Sequence, residues 1–232
     1  MNLLLDYAIF LEVFFIALTN GSSARFDKIT RPSCGPTRLS PGWVDKSKLS
    51  CAARCKARHP TVCRSFMYNK TTKLCTPGGD INSAYPSPST VEGDLYYQGF
   101  KVVSSVQATV NVAFFYGTYS YADSETNCEC LNSHLFVMDT WNKWSLLDDI
   151  VRPRSYTWIG LDDRTVEGKF VWANTSRFID PILKQLIFQA GQPYSGNSDA
   201  QDCVAVTDIL LQLDDIECGK RMSHICERPT YQ

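Results

Sequence analysis

The sequence has no excess of charge of either sign. Its 23 Lys and Arg residues stand against 24 Asp and Glu residues, which gives a formal net charge of -1. Proteins that bind the phosphate backbone of nucleic acids usually carry a strong basic excess. We therefore expect no nucleic-acid partner.

Histidine is scarce, and motifs of catalysis are missing. The three histidines, His59, His134 and His224, do not have the spacing of zinc ligands. None of them lies in a Gly-x-Ser-x-Gly, His-Glu-x-x-His or phosphate-loop context. We therefore expect neither a zinc site nor an enzyme.

Long apolar runs are missing too, except near the start of the chain. Residues 1–24 combine an apolar run with a small polar segment in which Ser22 and Ala24 form a small-x-small pattern typical of signal-peptide cleavage. No basic residue precedes the run, and Asp6 and Glu12 interrupt it. A membrane anchor is the alternative, but spanning needs ~20 apolar residues. We predict a cleaved signal peptide over 1–24, and a secreted, extracellular protein with no stable membrane span.

Cysteine, in contrast, is abundant, with ten residues in 232. Such a content behind a secretory leader indicates disulfides formed in an oxidising compartment. The cysteines fall into two groups of five. The segment between these groups, 76–92, is rich in Pro, Gly, Ser and Asn, which predicts a loop. Strand-like residues follow over 95–115, so we predict two domains with a border near residues 100–108. The groups are Cys34, Cys51, Cys55, Cys63 and Cys75, then Cys128, Cys130, Cys203, Cys218 and Cys226.

In the first domain, residues 46–59 predict a helix with Cys51 and Cys55 on one face, because they are four positions apart. Residues 62–68 predict a strand, and 73–75 begin the returning strand. The economical pairing is nested, with Cys55 bonded to Cys63 and Cys51 to Cys75. The helix is then pinned onto the hairpin.

These residues resemble the PAN/apple family over roughly 34–100, and we place the domain at 25–102. Members generally bind proteins or carbohydrate without catalysis, which the resemblance implies here. In many members the first cysteine pairs with one near the domain end, but 92–100 contains no cysteine. Cys34 therefore lacks that partner. The resemblance rests on Cys51-x-x-x-Cys55, Cys63-Arg64-Ser65-Phe66-Met67-Tyr68-Asn69 and Cys75.

The second domain, placed at 108–230, predicts an α+β architecture from its alternating elements. The predicted strands are 157–161, 168–172, 203–206 and 223–226, and the predicted helices are 124–134 and 141–151.

The second domain resembles a C-type lectin domain, which makes the chain an α+β protein with a C-type-lectin-like domain after the small PAN/apple-like one. The resemblance implies a long bridge, Cys128–Cys226, and an inner one, Cys203–Cys218. It rests on Ser133-His134-Leu135, Trp158-Ile159-Gly160-Leu161, Phe170-Val171-Trp172, Gly191-Gln192-Pro193, Asp202-Cys203-Val204, Cys218 and His224-Ile225-Cys226-Glu227.

Two cysteines, Cys34 and Cys130, remain, one in each domain. A disulfide between them is the favoured hypothesis, because unpaired thiols are disfavoured in secreted proteins. Two free thiols and a bond to another chain are the alternatives.

In sugar-binding relatives, calcium lies between a Glu-Pro-Asn or Gln-Pro-Asp loop and a Trp-Asn-Asp strand. This chain has Gln192-Pro-Tyr194 in the loop, Gln201 where Glu is usual, and Leu-Asp214-Asp215 in the strand. The resemblance makes these five residues candidates for carbohydrate binding, and all except Tyr194 candidates for calcium. Because Tyr194 is a poor ligand, we expect calcium binding to be weak or absent. Tyr194 is equally suited to stacking on a sugar or to a protein interface.

Three further features of the sequence are less specific indications of function. Asp199, from the same loop, is a candidate replacement ligand. An accessory calcium loop of Asp162, Asp163 and Glu167 is a hypothesis, although a solvated acidic loop is the expectation for these residues. Two glycosylation sequons start at Asn69 and Asn174, and Asn69 has the alternative role of a turn residue.

The leading functional hypothesis is extracellular recognition of a glycan, with doubtful calcium dependence. The second is calcium-independent recognition or adhesion of an extracellular protein by a lectin-like fold. A mainly structural role in the extracellular matrix is the third, and this role predicts oligomers.

Overall fold

The computed structural model describes residues 15–19, 22–30, 32–86, 92–151, 156–194, 201–207 and 211–229. The chain divides into two compact units, residues 1–98 and 99–232. The division falls just before the predicted border, because Phe100–Ser104 pairs with a strand of the second unit. Most of the predicted leader lies outside the described residues, so its cleavage stays a prediction. None of the helices in the described part is long and apolar enough to cross a membrane.

The first unit is an antiparallel sheet with one helix. The sheet order is β1-β2-β7-β5-β6-β3, with β4 also paired to β6. Its elements are β1 Phe15–Thr19, β2 Ser22–Ile29, β3 Cys34–Arg38, β4 Trp43–Val44, α1 Lys48–Arg58, β5 Ser65–Tyr68, β6 Leu74–Pro86 and β7 Asp94–Tyr97.

Helix α1 has a defined start and one buried face. The Ser47 hydroxyl accepts a hydrogen bond from the Ser50 amide and so caps the helix. Cys51, Ala52 and Cys55 are buried on the face that packs into the core. This local pattern explains why the helix was predictable to within two residues at either end.

Two disulfides tie α1 to the hairpin of β5 and β6. They are Cys51–Cys75 and Cys55–Cys63, the nested pairs that the sequence predicts. The outer bridge joins residues 24 positions apart. A loop of that length corresponds to about 3 kcal/mol in the chain-entropy account of disulfides.

The loop predicted over 76–92 is wrong for most of its length, because β6 runs to Pro86. Residues 87–91 lie outside the described part. Gly78 in this segment serves close packing rather than a turn, since a Cβ there would lie 2.3 Å from the Ser65 Oγ and 2.8 Å from the Pro36 Cβ. The glycine content of this segment suggested a loop. Instead, the close approach of β3 and β5 to β6 requires a glycine at this position.

The second unit is a mixed sheet with four short helices. The sheet order is β14-β13-β11-β15-β9-β8, with β10 paired to β15 and β12 to β11. The elements are β8 Phe100–Ser104, β9 Thr109–Tyr119, α2 Tyr121–Glu129, β10 His134–Leu135, α3 Trp141–Trp144, α4 Leu147–Ile150, β11 Thr157–Asp162, β12 Val171–Trp172, α5 Pro181–Ile187, β13 Cys203–Val206, β14 Leu213–Ile216 and β15 Met222–Arg228.

Both helices predicted in this unit differ from those observed. Helix α2 begins three residues earlier than predicted, because Ser120 and Asp123 form a capping box. It ends at Glu129, and Asn132 then adopts a left-handed conformation with φ of 54°. That reversal carries His134 into β10, where it pairs with Glu227.

The helix predicted over 141–151 is interrupted between α3 and α4. The Leu146 amide bonds to the Lys143 carbonyl, and the Asp149 amide to the Leu146 carbonyl. Both bonds span three residues, so the turns tighten and the α-helical ladder breaks. Leu146 and Leu147 are both buried in the core. Residues 168–172 also form a shorter strand than predicted, β12.

The second unit has the two bridges that the resemblance implied. Cys128 bonds to Cys226, 98 positions later, and Cys203 bonds to Cys218. The pairing of Cys34 with Cys130 stays a prediction, because these residues belong to different units.

Gly78→Ala should destabilise the first unit by about 2 kcal/mol, measured as the free energy of unfolding in denaturant. The added methyl meets the rigid Pro36 ring and the Ser65 hydroxyl, which is held by a 2.7 Å hydrogen bond to the Gly79 carbonyl. Gly79→Ala is the matched control, because its Cβ would lie 3.5 Å or more from any neighbour. Equal losses of stability in the two variants would contradict the packing described.

Candidate functional site

The loop at 192–194 and strand β14 come together at the edge of the second sheet. The peptide bond between Gln192 and Pro193 is cis. The Tyr194 amide donates a 2.8 Å hydrogen bond to Oδ2 of Asp215. The Gln192 side chain lies close enough to the Asp214 carboxylate to lower its pKa. Two contacts therefore fasten the loop to β14 and unite four of the five predicted site residues.

Strand pairing holds the two aspartates in place. Within β14, Asp214 lies opposite Ala205 and Asp215 opposite Val204 of β13. The preceding residue, Leu213, is fully buried in the core. The acidic pair is therefore anchored on a rigid strand rather than on a free loop.

Three oxygen atoms of this site are buried without a hydrogen-bond partner among the described residues. They are Oε1 of Gln192, Oδ1 of Asp214 and Oδ1 of Asp215. A buried polar atom that makes no hydrogen bond costs about 1–3 kcal/mol. The site thus contains hard oxygen atoms that a cation or a hydroxyl group would satisfy.

Burial raises the pKa values of both aspartates. The Gln192 side chain partly offsets this rise in the pKa of Asp214. For Asp215, the Tyr194 amide opposes the rise in pKa, and the negative charges of Asp214 and Glu167 add to it. This environment is therefore electrostatically unfavourable for two ionised carboxylates.

The remaining predicted residue, Gln201, is half-buried just before β13. Among the described residues, its side chain makes no hydrogen bond to the other four. Tyr194 exposes 53% of its surface, so its ring faces solvent beside the acidic pair. Asp199 lies outside the described residues.

A second acidic group lies next to the first. Asp163 is only 3% exposed, and its Oδ2 accepts a 2.7 Å hydrogen bond from the Gly168 amide. Its Oδ1 is buried without a partner. Burial, together with the charges of Glu167 and Asp202, raises the pKa of Asp163 to about 6. Because Glu167 acts on both Asp163 and Asp215, the two groups are neighbours.

The expectation of a solvated acidic loop is wrong for Asp163, which is buried. Asp162 has a different role from that hypothesised, because Arg164 forms an ion pair with it at 3.0 Å and the Tyr121 hydroxyl donates to it at 3.3 Å. Sequence reasoning did not assign Asp202 to a site. Its place directly before Cys203 was the signal that could have identified it.

Calcium, which the fold family implies, fits the chemistry of these donors in part. Two carboxylates and an amide oxygen are hard ligands of the kind that calcium prefers. Calcium takes 6–8 oxygen atoms, so waters or ligand hydroxyls would have to complete the shell. Tyr194 supplies a backbone donor to Asp215 and no carboxylate or amide side chain.

Cys128, His224 and Cys226 are the one set of three metal-ligand side chains in the described ranges with all ligand atoms within 4.8 Å. Two of them form a disulfide, so this set is no metal site. His224 stacks on Phe115 at 4.7 Å between ring centroids, and burial lowers its pKa to about 3.

The two glycosylation sequons differ in exposure. Asn69 is 9% exposed, and its side-chain oxygen accepts hydrogen bonds of 2.9 Å from the amides of Thr71 and Thr72. This contact supports the turn role for Asn69. Asn174 lies exposed on a turn with φ of 58°.

The family model described as the Lectin C-type domain matches residues 117–228, and that of the PAN domain matches residues 43–98. The chain is 30% identical over 115 residues to C-type lectin domain family 4 member E of Mus musculus, covering 48% of this chain and 52% of that protein. It is 26% identical over 110 residues to the hepatic lectin of Gallus gallus, covering 47% and 50%. The chain thus spans about half the length of these relatives.

Solved structures with a similar fold include the carbohydrate-recognition domain of the mouse scavenger receptor C-type lectin. That domain has 22% identity and a TM-score of 0.48, over 56% of this chain and 95% of that one. The human counterpart has 23% identity and a TM-score of 0.47, over 56% and 96%. The predicted α+β fold and both predicted domains are confirmed: the chain carries a PAN domain followed by a C-type lectin domain.

Proposed function

We propose that the protein is a secreted lectin that recognises a glycan at the surface formed by Gln192, Tyr194, Asp214 and Asp215, with weak calcium binding. The observation that carries this proposal is a set of three buried oxygen atoms, one each in Gln192, Asp214 and Asp215. None of them has a hydrogen-bond partner in the described part of the chain. Protein interiors rarely keep such atoms unless something binds them. Recognition, without catalysis, is the activity that this site supports.

The site residues have complementary roles towards a sugar. The carboxylates of Asp214 and Asp215 accept hydrogen bonds from hydroxyl groups, and the Gln192 amide both donates and accepts. The exposed ring of Tyr194 offers an aromatic face to the apolar side of a pyranose. Calcium held by Gln192, Asp214 and Asp215 would supply a cation that coordinates sugar hydroxyls.

Weak binding follows from the number of charged ligands. Among Gln192, Tyr194, Asp214 and Asp215, only the two aspartates supply carboxylates. Calcium affinity rises with the number of charged ligands, so a site with two of them binds weakly. We place the dissociation constant at about 0.1–1 mM, the range of extracellular modules. The C-type lectin relatives support recognition of an extracellular ligand by this domain.

A protein ligand is the second candidate, and the exposure of Tyr194 favours it. Tyrosine is enriched at protein interfaces, and this one replaces the polar residue of sugar-binding relatives. Binding to a protein would be insensitive both to chelator and to free sugar.

Calcium should raise the melting temperature of the native protein, and calorimetric titration should show binding. Asp215→Asn should abolish both effects and should itself raise the melting temperature at pH 7 without calcium, because it removes a buried charge. Asp148→Asn, at an exposed position on α4, is the matched control and should behave as the native protein. An equal calcium shift in all three proteins would place the cation elsewhere.

Tyr194→Ala should weaken glycan binding on an array by about tenfold with no change in melting temperature, because its ring is exposed and packs little. Arrays are read with millimolar calcium and again with chelator. Tyr116→Ala, at another exposed tyrosine, is the control. Absence of glycan binding under both conditions, together with capture of a protein ligand through Tyr194, would replace the lectin proposal by the second candidate.

The second acidic group can be tested through the pH dependence of stability that Asp163 causes. Its folded pKa of about 6 lies above the ordinary value of 3.8, so its favourable contribution is complete below about pH 3.8 and is lost as pH rises through 6. Asp163→Asn should therefore raise the melting temperature at pH 7, by an increment equivalent to about 2 kcal/mol, and have little effect at pH 3.5. A difference that does not vary between pH 3.5 and 7 would contradict this assignment.

A further inference from the structure

A broad cavity of the second unit, the Asn174 groove, lies between the end of α2, strand β10 and the hairpin that starts with β12. Its volume is about 820 Å³, within the range of roughly 300–1,000 Å³ that is usual for ligand pockets. Asn174 and Ser176, the first and last residues of the second sequon, both line this groove.

Asn174 lies on a turn that hydrogen bonds hold in place. The Trp172 amide donates to the Arg177 carbonyl at 2.9 Å, and the Thr175 hydroxyl donates to the Trp172 carbonyl at 3.1 Å. Asn174 is exposed, and in the described part of the chain no hydrogen bond involves its side chain. The turn thus presents an available side-chain amide at the edge of the groove.

The groove has an exposed apolar side. Phe178 exposes 64% of its surface and Val166 exposes 47%. Phe178 pairs with Val171 in the hairpin, so it lies on the segment that returns from the turn of Asn174. Aromatic rings pack well against the apolar faces of sugar rings. A sugar attached to Asn174 therefore starts beside an aromatic ring that the protein leaves in water.

The charges that line the groove nearly cancel. Glu125, Glu129 and Asp162 stand against Arg164 and Lys169. Two of these acids also bind Arg164, at 2.7 Å from Glu125 and 3.0 Å from Asp162. A strongly charged ligand gains little from a surface with so small a net charge. Hydroxyl and amide groups, which form hydrogen bonds with both kinds of side chain, suit it better.

The sequon indicates which neutral ligand occupies the groove. Asn-Thr-Ser at 174–176 is an acceptor sequence for N-linked glycans. A covalent bond to Asn174 would keep the first sugars beside the groove at a high effective concentration. Weak contacts with Phe178 and the polar lining are therefore enough to hold them there.

We propose that Asn174 carries an N-linked glycan and that the first sugars of this glycan lie in the Asn174 groove against Phe178. In the transfer, Nδ2 of Asn174 bonds to C1 of the first sugar, and the bond from C1 to a phosphate oxygen of a polyprenyl diphosphate donor breaks. The diphosphate leaves with the bonding electron pair, and Nδ2 loses one proton to solvent. The transfer takes place in the secretory pathway, so the proposal shares the predicted leader with the proposed function and is otherwise independent of it.

The first sequon is more closely packed. Asn69 is 9% exposed, and its side-chain oxygen accepts hydrogen bonds from the amides of Thr71 and Thr72. The Gly93 backbone approaches so closely that a Cβ there would lie 2.4 Å from the Asn69 amide nitrogen. Peptide mapping of the protein secreted by a glycosylating eukaryotic cell line should therefore find the glycan on Asn174 and not on Asn69.

The location of the glycan is tested by removing the sequon in three backgrounds. Ser176→Ala keeps Asn174 and should lower the melting temperature of the secreted protein by about 2–4 °C, because the sugars no longer cover Phe178. In the background of Phe178→Ala the same substitution should have an effect of at most about 1 °C, since the ring that the sugars contact is already gone. Ile182→Ala is the matched background, because Ile182 is 69% exposed and outside the described lining of the groove. There the full loss should be retained.

Two controls separate the glycan from the side chains. In protein refolded from bacteria, which carries no N-linked glycan, Ser176→Ala should shift the melting temperature by at most about 1 °C. Thr71→Ala removes the first sequon at an exposed position and should leave the mass of the attached glycan and the melting temperature unchanged.

A secreted protein without a glycan on Asn174 would overturn the proposal. Equal effects of Ser176→Ala in all three backgrounds, whether losses or none, would overturn the location against Phe178. Calcium titration should give the same result for Ser176→Ala as for the native protein, because Gln192, Asp214 and Asp215 are not part of the described lining of the groove. Failure of this proposal is therefore distinguishable from failure of the lectin site.

Discussion

The Cys128–Cys226 disulfide is the constraint on which the second unit depends. It fastens α2 to β15, and β15 pairs with β9, β10 and β11. The bridge joins residues 98 positions apart, which corresponds to roughly 4–5 kcal/mol in the chain-entropy account. From β11 the sheet continues through β13 to β14, so the acidic edge is held by a chain of paired strands that starts at this bridge.

The support of these paired strands explains how two carboxylates can remain together in an electrostatically unfavourable environment. Asp215 is 2% exposed, next to the half-buried Asp214 and within the field of Glu167. Desolvation and like charge both disfavour this arrangement. The fold keeps the carboxylates in place because Leu213 is locked in the core and the strand register is fixed on β13. Carboxylates with pKa values raised in this way cluster at functional sites of proteins.

The first unit has a different source of stability, because its small sheet and the helix α1 bury only a modest core. The aromatic cluster of Phe26, Phe66 and Tyr96 is packed with ring centroids about 5 Å apart. Two disulfides then fix α1 onto the hairpin. The disulfides therefore add stability that a small core supplies only in part.

The sequence by itself determined the helix α1 and its two disulfides, because these depend on local periodicity and on the spacing of the cysteines. The two bridges of the second unit were implied by the resemblance to C-type lectins. The resemblance to C-type lectins also predicted a site of Gln192, Tyr194, Asp214 and Asp215, residues that lie in the loop at 192–194 and in the strand bonded to it. Sequence reasoning failed where context overrides composition, as at Gly78, where packing against Pro36 keeps a glycine-containing segment in a strand.

Only the tertiary structure decided which polar groups share an environment. The burial of Asp163, the separate ion pair of Asp162 and the unpartnered oxygens of the site arise from folding distant segments together. A pocket in the first unit is another case, since its lining residues are spread from Lys28 to Tyr96 and follow no sequence motif. Charge and desolvation act through space, so their effects follow from three-dimensional distances that sequence spacing does not contain.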